Sequence, residues 1–298
     1  MNKSLEELIY DARELARRVL HLVPVPSAID WKLCRAALWQ PQPWGGGFVA
    51  HSELDDIELE DLLCVDDQKD QLTLNTRQFL VGAPANNVLL WGARGTGKSS
   101  LVHALLNRYH DAGLRLVEVN KSRLAALPDI VFKLRDEPYR FVLFCDDLSF
   151  EADDASYKVL KSALEGSVFK SSGNVLIYAT SNRRHLLPEY MSENEQATFV
   201  EGELHQSEAV EEKISLSDRF GLWLSFYPFK QQAYLDVVRH WLYKLAAAHD
   251  VAYDWDDDVR AAALRWALAR GVRSGRTAQH FARHWIGKLA LPMEDQNK

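Results

Sequence analysis

The stretch LLWGARGTGKSSL, residues 89–101, constrains the fold of this chain more than any other part of the sequence. It has the spacing G-x-x-x-x-G-K-[ST] between an apolar run and a helix-forming run, as in a phosphate-binding loop. Its glycines let backbone N–H groups turn towards phosphates, and the following helix points its positive end to the same place. Lys98 is expected to reach the outer phosphates, and the Ser99 hydroxyl is expected to bind Mg²⁺. The predicted nucleotide-binding residues are Gly92, Ala93, Arg94, Gly95, Thr96, Gly97, Lys98, Ser99 and Ser100.

Short apolar runs predict five strands, and helical segments separate the first four. The runs cover residues 87–92, 114–120, 139–147, 173–182 and 222–228. This alternation favours a parallel sheet that is covered by helices on both faces. After Pro228, apolar stripes predict three helices over residues 231–249, 256–269 and 274–289, which would form a separate helical domain.

The remaining segments set the domain boundaries. Apolar positions at helical spacing predict a helix over residues 2–20 and a second one over residues 29–39, and the stretch QPQPWGGGF, residues 40–48, indicates a linker. Residues 192–218 hold eight acidic side chains and one lysine, which predicts a mobile, solvated loop. The expected domains are an N-terminal helical domain over 1–45, an α/β core over 46–228 and a C-terminal helical lid over 229–298.

Composition places the chain among ordinary soluble proteins. Of its 298 residues, 47% are hydrophobic and 26% are charged. The sequence contains no apolar stretch of the ~18 residues that a membrane span needs, and its first residues do not resemble a signal peptide. Three cysteines without a C-x-x-C pair predict buried free thiols in a reducing cytoplasm. The net charge of −7 offers no overall footprint for nucleic acid, although a local basic surface stays open.

A second polar site is predicted where the third apolar run ends. Asp146 and Asp147 follow the run RFVLFC, and acids at the carboxyl end of a central strand lie beside the phosphate crevice of an open α/β sheet. We expect Asp146 to hold Mg²⁺, directly or through water, and Asp147 to orient or deprotonate the attacking water. The alternative is a pair of solvated turn acids.

These motifs resemble those of the AAA+ ATPases, over about residues 56–290. The stretches CDDLSFE, YATSNRRHLLPE and LSDRFGL are most similar to those of an uncharacterised bacterial branch of AAA+ ATP-binding proteins. The family's second motif ends in Asp-Glu, whereas this chain has Asp-Asp, so its capacity for hydrolysis is open. Glu151 is a second source for the missing carboxylate. The resemblance further implies that Asn182, at the position called sensor 1, helps to place the water.

The resemblance also implies residues that complete the site from elsewhere. Arg219 matches the arginine finger, which reaches the γ-phosphate bound by a neighbouring subunit; the alternative is a structural Arg–Asp pair. Either Arg273 or Arg276 matches the lid arginine called sensor 2. Leu62, Leu63 and Val65 are the expected apolar contacts of the adenine, although a plain core helix would explain the same pattern.

The expected fold class is therefore α/β: an AAA+ type P-loop core with a parallel five-stranded sheet, a C-terminal helical lid and an N-terminal helical domain. The expected function is that of an oligomeric ATPase, a hexamer or open ring, that uses ATP and Mg²⁺ to remodel or load an unidentified protein or nucleic-acid partner. Two alternatives are a nucleotide-gated switch or loader with little hydrolysis and a small-molecule P-loop kinase. No contact with a membrane is expected.

Overall fold

The structure, a computed structural model, describes most of residues 29–291 and little of what precedes them. The described residues are 9–10, 13–14, 29–42, 45–51, 54–150, 155–164, 173–183, 186, 198–200, 203–205 and 218–291. Residues 9, 10, 13 and 14 are helical, in agreement with the helix predicted over 2–20, and the rest of that segment lies outside the described residues.

A seven-stranded sheet forms the centre of the molecule. The strands of the described residues are β1 Ala36–Gln42, β2 Gly45–Ala50, β3 Val88–Gly92, β4 Leu114–Glu118, β5 Arg140–Cys145, β6 Val175–Ser181, β7 Thr198–Val200, β8 Glu203–His205 and β9 Leu222–Phe226. The sheet order is β2-β1-β4-β5-β6-β3-β9, and every neighbouring pair is parallel except β1 and β2. The five predicted strands are all present. The prediction that the sheet has only five strands is wrong, because β1 and β2 extend it.

The extension replaces the second predicted helix and the predicted linker. Residues 36–38 pair in parallel with β4 and residues 37–42 in antiparallel with β2, so the expected boundary between residues 45 and 46 falls inside a hairpin. Trp39 is 3% exposed in the core, and a Cβ on Gly46 of the opposite strand would lie 2.0 Å from its ring. The glycine run therefore gives the indole room on a paired strand, and this tertiary packing overrides the helical preference of the alanines.

Seven helices complete the described fold. They are α1 Asp66–Leu80, α2 Lys98–Tyr109, α3 Leu127–Leu134, α4 Ala155–Leu164, α5 Gln231–His249, α6 Asp257–Ala269 and α7 Gly275–Leu289. Short 3₁₀ helices precede α1, at Leu59–Asp61, and α3, at Lys121–Ala126. The acidic segment 192–218 is described only in part, and β7 and β8 form an antiparallel hairpin within it.

Alternation along the strands builds one core on each face of the sheet. In β5, Phe141, Leu143 and Cys145 enter one core, while Val142 and Phe144 enter the other. Successive side chains of a strand point to opposite faces, so a strand covered on both sides is apolar throughout. Helices α3 and α4 cover the first face, and α1 and α2 cover the second.

The three C-terminal helices form a core of their own. Tyr234, Val238 and Phe281 are among the buried residues there, and Leu63 and Phe229 pack against it from the α/β part. Asp256 and Ser274 cap α6 and α7 by accepting hydrogen bonds from Val259 N and Thr277 N, which fixes where these helices begin. Within the described part of the chain, none of the helices combines the length and hydropathy that a membrane crossing requires.

Candidate nucleotide-binding site

The predicted phosphate loop joins the end of β3 to the start of α2. Gly92, Gly95 and Gly97 have φ angles of 126°, 73° and 99°, which L side chains rarely adopt. At Gly92 packing adds a second restriction, because a Cβ would lie 2.0 Å from the carbonyl oxygen of Phe226 on β9. The loop thus leads into the N-terminus of α2, where free N–H groups and the helix dipole favour an anion.

Lys98 is the only lysine buried in this part of the structure and is 7% exposed. Its Nζ donates to the carbonyl oxygens of Gly92, at 2.9 Å, and Ala93, at 2.8 Å, and to Oδ1 of Asn182, at 3.3 Å. Burial lowers the pKa of the ammonium, and two nearby carboxylates oppose that shift. The charge is thus held inside the loop, where a phosphate oxygen could take over as its partner.

A hydroxyl and a carboxylate meet beside the lysine. Ser99 Oγ donates to Asp146 Oδ1 at 2.6 Å, and Thr180 Oγ1, from β6, donates to the same oxygen at 2.6 Å. Hydroxyl and carboxylate oxygens are hard ligands of the kind that Mg²⁺ prefers, so Ser99 and Asp146 fit such an ion. Thr180 was not predicted, because a threonine inside an apolar run gives no signal of its own.

Asp147 follows with an unusual backbone. Its φ is 51°, in the left-handed region, and its amide donates to Thr180 Oγ1 at 2.8 Å. Its carboxylate oxygen Oδ1 accepts a hydrogen bond from Asn182 Nδ2 at 2.5 Å. Asn182 therefore connects Asp147 to Lys98, and the structure brings together these three residues, which the sequence analysis had selected separately.

These residues line one cavity of about 450 Å³. The lining also includes Leu62, Leu63 and Val65, the residues expected to contact a base. The lining also contains residues that were not predicted from the sequence, and several of them belong to the C-terminal helices. The residues added to the site in this way are Ile57, Asp61, Thr180, Phe229, Val237, Trp241, Gly275 and Gln279.

Asp61 is a buried carboxylate in this wall, 4% exposed, at the end of the 3₁₀ helix before α1. It accepts hydrogen bonds from His240 Nε2 at 3.0 Å, from Lys244 Nζ at 2.5 Å and from the Glu58 amide at 2.9 Å. Burial alone would raise its pKa, but the bonds from Lys244, Glu58 and His240 outweigh burial and hold the pKa of Asp61 below its ordinary value. An ionised carboxylate therefore joins this wall to α5.

Of the two arginines considered for the lid, Arg276 lines the cavity, whereas Arg273 is not part of the lining. The amide of Arg276 donates to the carbonyl oxygen of Gly95 at 3.1 Å, so the start of α7 touches the phosphate loop itself. Arg273 instead contributes a carbonyl oxygen that accepts from the Phe229 amide. The geometry favours Arg276 as the arginine that faces a bound phosphate.

Two predicted residues are not part of this cavity lining: one lies elsewhere in the structure, and the other lies outside the described residues. Arg219 is half-buried just before β9 and is not among the residues that line the cavity of its own chain. Glu151 lies outside the described residues. Of the three predicted buried thiols, Cys145 is buried, Cys34 is half-buried and Cys64 is exposed, so the expectation fails for Cys64.

Comparison with known proteins identifies the fold and the family. Residues 32–289 match the model of a family described as "Protein of unknown function (DUF815)". Two mutants of RuvB from Thermotoga maritima, each 18% identical to this chain, have similar structures. One has a TM-score of 0.52 over 79% of this chain and 67% of that chain. The other has a TM-score of 0.51 over 76% of this chain and 63% of that chain, so this chain spans less than two thirds of its length.

No curated protein matches the sequence. At 18% identity the structural similarity concerns the fold alone, and it confirms the resemblance to AAA+ P-loop proteins that the sequence motifs indicated. The family match covers most of the chain, including every described residue that lines the cavity. The chain has the α/β fold of the AAA+ proteins and belongs to the DUF815 family.

Proposed function

We propose that this protein is a cytoplasmic AAA+ ATPase that binds ATP and Mg²⁺ between its α/β core and its C-terminal helices, which act as a lid. One observation carries the proposal: Lys98, Asp146, Asp147, Asn182 and Arg276 all border the same cavity. In this scheme Lys98 holds the outer phosphates and Asp146, with Ser99, holds the ion. ATP supplies the phosphoryl group, and the ion neutralises charge on its oxygens.

The contacts of Asp147 suggest its role. Its carboxylate is held at Oδ1 by Asn182, which leaves the second oxygen to accept a proton from, or orient, a water near the γ-phosphate. Asn182 would keep that carboxylate at a fixed distance from Lys98. Hydrolysis would then change what the lid touches and so act on an unidentified protein or nucleic-acid partner.

A second candidate is a nucleotide-gated switch or loader with little turnover. Asp147 favours this candidate, because aspartate is one methylene shorter than the glutamate of the family motif. If Glu151 supplies the catalytic carboxylate instead, Glu151→Gln will lower turnover more than Asp147→Asn. If neither change alters a measurable rate, the hydrolytic role of both is wrong and the switch remains.

The position of Arg219 supports assembly. A guanidinium that lies apart from its own cavity can serve the site of a neighbouring copy, where it would spread positive charge over the transferring phosphoryl group. Such a head-to-tail contact closes into a ring or continues as a filament. We propose an ATP-dependent oligomer, with a hexamer or open ring as the family-based expectation.

The experiment that tests ATP binding is calorimetry on the wild type, on Lys98→Ala and on Lys158→Ala, which removes the same charge from an exposed position of α4. The wild type and Lys158→Ala should bind Mg²⁺–ATP alike, and Lys98→Ala should lose measurable binding, because its phosphates would face an uncompensated site. Unchanged affinity in a folded Lys98→Ala variant would overturn the proposal. Capture of partners from cell extract with the ATP-bound protein would then identify the substrate.

A further inference from the structure

Two aromatic side chains line the nucleotide cavity, and their surroundings differ. Phe229 lies near the phosphate loop: a Cβ on Gly275 would be 3.7 Å from its ring and 3.2 Å from the Gly95 carbonyl oxygen. Trp241 is about three turns into α5, on the helix that also contributes Val237 to the lining. Trp241 therefore lies in the same lining as Leu62, Leu63 and Val65, the residues expected to contact the base of the proposed ATP.

The Asp61 carboxylate binds side chains of the same turn of α5. His240 and Lys244, both bonded to Asp61, flank Trp241 in sequence, and both contact its ring. The His240 ring packs edge-on against the indole at 5.7 Å between centroids, and Lys244 Nζ lies 5.6 Å from the indole centroid. The cluster thus fixes the ring from two sides while Asp61 anchors it to the segment that carries Leu62 and Leu63.

An ion pair with a buried carboxylate is a poor source of stability, since the desolvation of that charge offsets much of the attraction. Its effect on geometry is larger, because a charged carboxylate that accepts three hydrogen bonds restricts the positions of the groups that donate them. Among the described residues, the tryptophan that borders the cavity is the one these partners hold. The arrangement therefore holds a flat aromatic ring in a lining whose other apolar side chains, Phe229 apart, are aliphatic.

We infer that Trp241 is the stacking face for the nucleotide base and that Asp61, acting through His240 and Lys244, is the positioning residue that holds this face in place. The inference rests on the proposed function and specifies its ligand further. Stacking does not read the edge of a base, so Trp241 should contribute alike to adenine and guanine nucleotides. A bound base would then contact α5, the first helix of the C-terminal unit, directly.

The test separates base from phosphate by using two ligands. Mg²⁺–ATP carries both groups, whereas inorganic tripolyphosphate with Mg²⁺ retains the phosphates alone. Trp241→Ala should bind ATP and GTP at least about fivefold more weakly, the smallest loss expected for one base–aromatic stack, and should bind tripolyphosphate as the wild type does. Trp241→Phe should recover most of the affinity. Tyr243→Ala, which removes a 71% exposed ring from the same helix, is the matched control and should change the affinity for neither ligand.

The positioning role has its own variants. Asp61→Asn should lower ATP affinity and leave tripolyphosphate affinity unchanged, and Lys244→Met, which keeps the length of the side chain, should do the same to a smaller extent. The Lys244 side chain is 38% exposed, so Lys244→Met keeps the test valid if Asp61→Asn does not fold. Unchanged ATP affinity in Trp241→Ala, or equal losses for both ligands, overturns the inference and leaves the proposed function standing. A wild-type protein that binds neither ligand overturns both.

Discussion

Thr180 offers the sharpest test of how the candidate site is held together. The residue is 2% exposed, and its hydroxyl donates to Asp146 and accepts the amide proton of Asp147. Thr180→Val keeps the shape and removes both bonds. The Asp147 amide then has no acceptor at that point, which costs about 1–3 kcal/mol, and the lost bond to the carboxylate adds about 1 kcal/mol because Asp146 still reaches solvent. We expect the free energy of unfolding to fall by about 2–4 kcal/mol.

Thr180→Ser is the matched control, because it keeps the hydroxyl and removes only a methyl group, at a cost of about 1 kcal/mol. Urea unfolding followed by circular dichroism gives both values, and calorimetry reports Mg²⁺–ATP affinity in the same samples. The valine variant should be less stable than the serine variant by at least about 1 kcal/mol and should bind Mg²⁺–ATP more weakly. If the two variants agree within about 0.5 kcal/mol, the bonds read from the geometry contribute no net stability and the reasoning is refuted.

Three further predictions concern catalysis, assembly and pH. Asp147→Asn should keep Mg²⁺–ATP binding and lose turnover, since asparagine tolerates the left-handed backbone but cannot accept a proton; full turnover in steady-state assays would count against this role. Arg219→Ala and Lys98→Ala should each be inactive alone and regain ATPase activity when mixed, whereas mixed oligomers that stay inactive would exclude a finger at Arg219. The pKa of Asp61 lies below its ordinary 3.8, so the carboxylate stabilises the fold above that value and loses this contribution as pH falls through its folded pKa. Unfolding free energy below about pH 4 should consequently depend less on pH in Asp61→Asn, and equal slopes would contradict the assignment.

The motifs of the core could be predicted because local residue types determine them. The phosphate loop needs glycine at its turns and a strand and a helix at its ends, and all of these are contiguous in sequence. Helix α5, observed at Gln231–His249, was predicted with the same bounds, because its apolar stripe runs without interruption. Asp146 could be placed beside the phosphate crevice because acids at the carboxyl end of a central strand lie there, and Asn182 was predicted from the resemblance to the AAA+ proteins.

The hairpin β1–β2 could not be predicted, because its stability comes from distant partners. Leu38 pairs with Glu118, and Trp39 packs over Gly46. Neither contact produces a periodic pattern in the sequence. Alternation is also weak in a strand that contains glycine or proline, which favoured a linker. Asp61 could not be predicted for the same reason. Its partner Lys244 lies 183 residues away in sequence, so the local sequence does not indicate that this carboxylate is buried and bonded.

The C-terminal unit contacts the walls of the cavity at several points, and two of them bear on how a bound nucleotide could act on it. At one point the amide of Arg276 binds the Gly95 carbonyl oxygen, a neutral bond that involves the phosphate loop. At the other, the Asp61 carboxylate accepts hydrogen bonds from His240 and Lys244 beside Leu62 and Leu63, the residues expected to contact a base. One contact alone would act as a pivot, whereas two contacts at different places fix an orientation. If the proposed function holds, a change at the phosphates would act on the first contact and leave the second in place, so Asp61, His240 and Lys244 would be the fixed point of any movement of these helices.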